Sequence, residues 1–253
     1  MSGTLETRDL TIRFGGHVAV DRVSCAFQPG TLTAIVGPNG AGKTTYFNLI
    51  SGQIRASSGS VTLDGEDITH LPAPLRTRRG LGRAFQLTQL FPKLSVLENV
   101  RLAVQSRHGG GLRFLSVWLD HRQLIEEARA VLDAVRLADK ADAEAASLPH
   151  GDQRKLEVAL MMALDPKVYM FDEPTAGMSV DEVPVVLDLI RQLKQRRDKT
   201  ILLVEHKMDV VRELADRIIV LHNGQLLADG EPSLVMALPV VQNAYMGTVL
   251  EAA

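Results

Sequence analysis

Gly37-Pro38-Asn39-Gly40-Ala41-Gly42-Lys43-Thr44-Thr45 decides how this chain is read, because it fits the pattern GxxxxGK[ST] of a loop that cradles phosphates. Before it, Thr31-Leu32-Thr33-Ala34-Ile35-Val36 is short, β-branched and apolar, as a buried strand is; after it, Thr45 to Ile50 continues as a helix. The glycines let successive backbone N–H groups turn inward around phosphate oxygens, Lys43 reaches the β and γ phosphates, and the Thr44 hydroxyl ligates Mg²⁺. The stretch predicts a nucleoside triphosphate site. The alternative, a glycine-rich turn that binds nothing, is disfavoured by the strand before it and the helix after it.

A second signal lies far downstream. Val168-Tyr169-Met170-Phe171 is a continuous apolar run of the kind a buried parallel strand shows, and it ends in Asp172-Glu173-Pro174-Thr175. Two adjacent acids at the carboxyl end of a buried strand are costly unless metal or water uses them. Asp172 is read as the acid that holds Mg²⁺, through water, and Glu173 as the group that polarises the attacking water. The competing reading, that the pair only caps the next segment, ignores the acid that the loop at 37–45 requires.

Between the two runs Leu148-Pro149-His150-Gly151-Asp152-Gln153-Arg154-Lys155-Leu156, followed by an amphipathic helical pattern to Leu164. Here the chain resembles the ATP-binding-cassette ATPases, whose order is phosphate loop, glutamine loop, an LSGGQ-type signature opening a helix, an apolar strand ending in Asp-Glu, and a histidine loop. All five are present in that order: Gln86 follows Gly82-Arg83-Ala84-Phe85, and Glu205-His206 follows Thr200-Ile201-Leu202-Leu203-Val204. The resemblance covers residues 4 to 247. It implies an α/β fold of the P-loop NTPase type, a RecA-like mixed sheet with an antiparallel β subdomain and an inserted helical lobe bearing the signature.

The resemblance also implies roles. Gln86 would touch Mg²⁺ or the lytic water and report nucleotide state to a membrane partner. His206 would hydrogen-bond the γ phosphate and orient water; otherwise it is a polar residue ending a strand. Phe14 is similar to the aromatic that stacks on adenine, although Leu10, Ile12 and Phe14 also alternate as one buried strand face. Gly151 and its helix N-terminus would supply amides to an ATP held by a second cassette, identical or paralogous, so that two chains sandwich two ATP molecules. The implied partners are integral membrane permease subunits and a substrate-binding protein. The implied place is the cytoplasmic face of the inner membrane, held peripherally.

Composition agrees. With 253 residues, 45% of them hydrophobic, the chain can bury one substantial core, and strands alternating with helical runs suggest an α/β sheet. The one cysteine, Cys25, excludes an internal disulfide, fits a reducing compartment and reads as a small core residue. Met1-Ser2-Gly3-Thr4-Leu5-Glu6 has no leader character and the apolar runs are far short of a bilayer span, so the chain is expected to be neither secreted nor inserted. A formal net charge of −2 gives no electrostatic reason to expect nucleic acid. The cluster Arg76-Thr77-Arg78-Arg79 reads as a solvated helix face.

The breakers Gly15-Gly16, Pro29-Gly30 and Asp64-Gly65 organise the front half into strands and turns. One domain over 1–253 is expected, with a catalytic core at about 4–86 and 165–232, a helical lobe at about 88–164 and a helical tail at about 233–253. Helical spacing runs over Val96 to Val104 and Gln123 to Leu137, with a loop from Arg107 to Phe114 between. Arg217 to Leu221, Asn223-Gly224 and Gln225 to Ala228 read as a hairpin. The tail phrase Asn243-Ala244-Tyr245-Met246-Gly247, the loop at 106–120 and Arg83-Ala84-Phe85-Gln86 look most like the ATPases of branched-chain and related hydrophobic amino acid uptake, with the lipopolysaccharide-export ATPase as the rival. A regulatory or assembly ATPase of the same fold is the alternative from another functional class.

Two departures stand out. Pro149 and His150 replace the serine and first glycine of the signature, removing a hydroxyl and an N–H, and Asp152 is expected to place a carboxylate near the remaining amides. Ser179 stands where many cassettes carry an aspartate that couples the two sites.

Overall fold

The computed structural model describes residues 3–84, 90–109 and 119–251. In chain order it forms β1 (Leu5–Phe14), β2 (His17–Phe27), β3 (Leu32–Val36), α1 (Lys43–Ser51), β4 (Ser58–Leu63), β5 (Glu66–Asp67), α2 (Ala73–Arg78), β6 (Leu81–Ala84), α3 (Val96–Arg107), α4 (Leu119–Ala134), α5 (His150–Leu164), β7 (Val168–Asp172), α6 (Val183–Gln195), β8 (Thr200–Val204), α7 (Met208–Leu214), β9 (Arg217–His222), β10 (Gln225–Gly230), α8 (Pro232–Met236) and α9 (Pro239–Glu251). The strands and helices expected around the phosphate loop, the acidic strand and the hairpin are all present. The loop expected between α3 and α4 falls mostly outside the described residues, as does Gln86.

The elements divide into two units, one of residues 1–81, 167–173 and 193–253, the other of residues 82–166 and 174–192. In the first, β2-β1-β4-β5 form an antiparallel sheet. A second sheet runs β10-β9-β3-β8-β7, with Leu81 at the start of β6 continuing it. Its β3, β7, β8 and β9 are parallel, while β10 returns antiparallel through the Asn223-Gly224 turn. The mixed sheet and the separate antiparallel sheet are those implied by the sequence.

Period-two alternation explains why β3 and β9 are apolar on both faces. Ile35, Ile219 and Leu221 join α1 and the antiparallel sheet in one core layer, with Phe27, Tyr46 and Phe47 at its centre. Ala34, Val36, Ile218 and Val220 face the other way, against Val211 of α7, Val235 of α8 and Val241 of α9. Cys25 belongs to the first layer, and burial pushes its thiol up to about 11, as for an inert core residue.

Within the basic cluster at 76–79, Thr77, Arg78 and Arg79 are exposed as a solvated face would be, but Arg76 is not. Arg76 is buried, and its guanidinium donates to the carbonyls of Leu71 (2.8 Å), Leu49 (2.8 Å), Ile50 (2.6 Å) and Thr69 (2.7 Å). Two of these carbonyls belong to the last turn of α1, and that of Leu49 also accepts from the Gly52 N–H at 3.3 Å, so the planar fork of one side chain helps close the helix that begins at Lys43. Burial lowers the guanidinium pKa to about 10. Sequence pattern missed this because an Arg inside a basic run gives no sign of turning inward. Arg76→Met is expected to cost about 2–4 kcal/mol, read from the urea midpoint, since it removes a buried guanidinium together with the four backbone bonds it makes.

The second unit is largely helical. α3 is capped by Ser95, whose hydroxyl accepts from the Glu98 N–H at 3.2 Å, and Asn99 fixes the preceding loop by accepting from Phe91 N and donating to the carbonyls of Phe91, Leu94 and Ser95. The sequence placed residues 174–192 in the catalytic core. They cluster instead with the helical unit, because Gly177 lies against the His150 ring and Glu182 against Gly151.

Candidate functional site

The phosphate loop springs from the end of β3, whose parallel neighbours are β8 on one side and β9 on the other. Gly37 turns at φ 148, where a Cβ would overlap the Leu221 carbonyl oxygen; at Gly42, φ 96, a Cβ would lie 2.5 Å from the Ala19 carbonyl oxygen. Only glycine fits either place. Gly42 is the N-cap of α1, with no side-chain capping bond and no acid in the first turn, so the leading N–H groups and the positive end of the helix dipole are left for an anion. Ala41 is buried, Pro38 and Thr45 are half-buried, and Asn39, Gly40 and Thr44 are exposed.

Lys43 is 5% exposed, and its ammonium donates to the Gly37 carbonyl at 2.7 Å and the Pro38 carbonyl at 2.9 Å. Burial pulls its pKa below the ordinary lysine range, and the carboxylates of Glu173 and Asp172 oppose that pull. The lysine and the two acids therefore share one electrostatic site, although 129 residues separate Lys43 from Asp172 (172 − 43).

Parallel pairing brings them together. Ile35 stands beside Val204, and Val204 beside Asp172, so the ends of β3, β8 and β7 form one row at the carboxyl edge of the sheet. Asp172 is 6% exposed at the end of β7. Glu173, the next residue, adopts φ 51, a left-handed conformation that costs on the order of 1 kcal/mol for a residue with a Cβ. A bond from its N–H to the Val204 carbonyl, 2.9 Å, holds it there. Its Oε1 lies 2.9 Å from His206 Nε2, with both side chains partly open to solvent. With the carboxylate ionised, the imidazole Nε2–H is the donor.

Glu205, given no role from the sequence, fixes His206. It is 4% exposed, and its Oε2 accepts from the N–H groups of His206 (2.9 Å) and Lys207 (3.2 Å), which ends β8 and starts the turn into α7. An acid directly before a strand-end histidine was the available signal. Phe14 is 53% exposed while Leu10 and Ile12 are buried, so the strand-face reading of Phe14 fails and its ring is free to serve as a platform. Register shifts along β1 break the alternation on which that reading relied.

In the second unit, Pro149 is the N-cap of α5 and His150 its first residue. The expected intrusion of Asp152 does not occur: the carboxylate turns inward to Lys140 and, at 2.8 Å, to Lys155. Burial pushes the Asp152 carboxyl up, but the two lysine bonds prevail and hold it below its usual range. Gly151 is buried under the Glu182 carboxylate, where a Cβ would overlap the oxygens. Glu182 also accepts from Ser179, from N at 3.1 Å and Oγ at 2.9 Å. The replacement Ser179 thus gives one half of a Ser-x-x-Glu box just ahead of α6, the carboxylate reaching back to the Ser179 N–H while the Glu182 N–H bonds the Ser179 carbonyl.

Thr44 and Asp172 offer a hydroxyl and a carboxylate, the hard oxygen donors Mg²⁺ takes while keeping several waters. Among the described residues no group of three or more His, Cys, Asp or Glu is placed to hold a metal. Among the described residues, no helix is long and apolar enough to cross a membrane.

A family model described as ABC transporter matches residues 20–176. The chain is 37% identical over 249 residues to the high-affinity branched-chain amino acid transport ATP-binding protein BraF of Pseudomonas aeruginosa, covering 96% of this chain and 97% of that one. It is 35% identical over 248 residues to the corresponding LivG protein of Escherichia coli, covering 96% and 97%. Among solved structures, an ATP-binding cassette of an ABC transporter in its ADP conformation superposes with a TM-score of 0.80 at 29% identity, over 98% of this chain and 99% of that one.

Proposed function

The chain belongs to the ABC transporter family as an ATP-hydrolysing subunit, and from that premise we propose that it energises import of branched-chain or related hydrophobic amino acids. The observation that carries the substrate class is the 37% identity to a branched-chain amino acid transport ATP-binding protein, sustained along 96% of this chain. We read the chain as peripheral at the cytoplasmic face of the inner membrane, docked on integral permease subunits that receive cargo from a substrate-binding protein. A second cassette, identical or paralogous, completes each ATP site.

The residues divide the chemistry between them. The amides of residues 37–45 and Lys43 would grip the triphosphate, and Phe14 would stack on adenine. Thr44 and Asp172, with Gln86, would hold Mg²⁺, which draws charge from the phosphate oxygens when bound. Glu173 would accept a proton from the attacking water, and the hydrogen bond from His206 orients that carboxylate. Gly151 and the start of α5 would face the ATP of the second cassette once Glu182 moves aside. No residue of this chain contacts the cargo in this reading.

The test is co-expression with permease and binding-protein subunits of a branched-chain amino acid uptake system, followed by reconstitution in vesicles. Leucine-loaded binding protein is expected to raise ATP turnover at least about tenfold over empty vesicles, with uptake of labelled leucine. Turnover that ignores every branched-chain and hydrophobic amino acid would remove the substrate assignment. Failure to copurify with any integral membrane subunit would favour a regulatory or assembly role.

A further inference from the structure

Tyr46 follows Lys43 and Thr44 in the first turn of α1, yet it has no part in the scheme above. Its side chain is fully buried in the core layer that joins α1 to the antiparallel sheet. The phenol oxygen lies 2.7 Å from the Thr7 hydroxyl of β1, and that hydroxyl also accepts from the Cys25 N–H of β2 at 3.1 Å. One phenol thus ties the helix of the phosphate loop to both strands of the hairpin that carries Phe14. Phenylalanine would fill the same volume without a polar group to satisfy, so packing alone does not account for the hydroxyl.

The hairpin needs such a tie because β1 is irregular between Thr7 and Phe14. Its pairing with β2 shifts register after Thr7, after Leu10 and after Ile12, and its pairing with β4 shifts after Arg8. Each irregularity bends and twists the strand, so the ladder alone does not set where Phe14 comes to lie. Hydroxyl side chains hold amides beside these breaks: Ser24 accepts from the Asp9 N–H at 2.8 Å, Thr11 from Arg22 at 2.9 Å and Ser57 from Arg13 at 3.1 Å. Thr7 belongs to the same set, and its hydroxyl also meets α1. On β2 the Ala19 carbonyl lies against Gly42, the residue before Lys43. The hairpin therefore touches the start of α1 at two points, one of packing at Gly42 and one of hydrogen bonding at Tyr46.

We propose that Tyr46 is a positioning residue for the base of ATP: its bond to Thr7 sets the hairpin, and with it the Phe14 ring, at the distance from the phosphate loop that a nucleoside triphosphate spans. The proposal rests on the reading of Phe14 as the adenine platform and of residues 37–45 as the phosphate site. It predicts that losing the phenol hydroxyl is felt at the base and not at the phosphates.

The experiment compares Tyr46→Phe, Phe14→Ala and the double variant in a Glu173→Gln parent, so that nucleotide is held without being consumed. Tyr46→Phe keeps the ring in its layer and leaves the Thr7 hydroxyl with the Cys25 N–H, so no buried amide is stranded. Calorimetry reads two ligands, MgATP and magnesium tripolyphosphate, which offers the phosphates without the base. Tyr46→Phe is expected to weaken MgATP about three- to tenfold, the equivalent of one neutral hydrogen bond, and to leave tripolyphosphate within about twofold of the parent. The melting midpoint is expected to fall by about 2–4 °C, the part of the effect that a merely structural bond would also give. Phe14→Ala is expected to weaken MgATP about 5- to 100-fold through lost stacking and to spare tripolyphosphate. In that background Tyr46→Phe should cost MgATP less than about twofold, because the platform it positions is gone. Equal losses for the two ligands, a full loss that persists without Phe14, or unchanged MgATP affinity in Tyr46→Phe would overturn the positioning role. A Phe14→Ala variant that binds MgATP as the parent does would instead remove the adenine platform, and a parent that binds neither ligand would remove the phosphate site; either takes the proposal with it.

Discussion

Glu173→Gln is expected to slow ATP turnover by about two to four orders of magnitude while leaving MgATP binding in place. The amide matches the carboxylate in size and keeps an oxygen for the 2.9 Å bond from His206, so the φ of 51 and the bond from the Glu173 N–H to Val204 need not change. What disappears is the anion that takes the proton of the attacking water. With hydrolysis blocked and binding intact, the variant should accumulate as an ATP-held dimer, visible as a doubled mass in gel filtration with MgATP and not with MgADP. Steady-state turnover in reconstituted vesicles is the decisive measurement. A variant within a few-fold of the parent would mean that Glu173 is not the base, and His206 would then have to be tested alone.

The fold was legible because its signals are local. A β-branched strand ending in a glycine-rich loop, and an apolar strand ending in two acids, each fix an element and the end of it that carries chemistry. Parallel pairing then does the rest, since Ile35, Val204 and Asp172 fall in one row only if β3, β8 and β7 run the same way. Less was legible where a side chain's partner is distant in sequence. Arg76 reads as surface because nothing near it announces the four carbonyls it will meet. Asp152 reads as a threat to the signature amides because Lys140 lies twelve residues away across a turn. Phe14 reads both as an adenine platform and as core, because strict alternation hides the irregular register of β1. Residues 174–192 read as core because they follow a core strand, yet Gly177 and Glu182 fit against the signature. In each case pattern located the element, while the direction of one side chain was decided by charge or hydrogen bonding beyond the reach of a local window.

Lys43→Ala is expected to weaken MgATP binding itself, about 10- to 150-fold, the range for one hydrogen bond between charged groups at a largely dehydrated site. The structure makes the cost specific. The ammonium is almost fully buried, which lowers its pKa against the opposing charges of Glu173 and Asp172, and is tied to the Gly37 and Pro38 carbonyls. Removing it takes away the ammonium that faces these two acids, so triphosphate would meet less compensated negative charge. It also releases the Gly37 and Pro38 carbonyls from the inside of the loop. Lys43→Arg should not rescue binding, because a planar guanidinium cannot occupy the space of a compact ammonium between two carbonyls. Asp172→Asn separates the two contributions, since its loss should be large with Mg²⁺ and small in EDTA, whereas the Lys43→Ala loss should persist in both. Calorimetric affinities in the two media decide the matter: equal affinity for the parent and Lys43→Ala in both would place the triphosphate elsewhere on the chain.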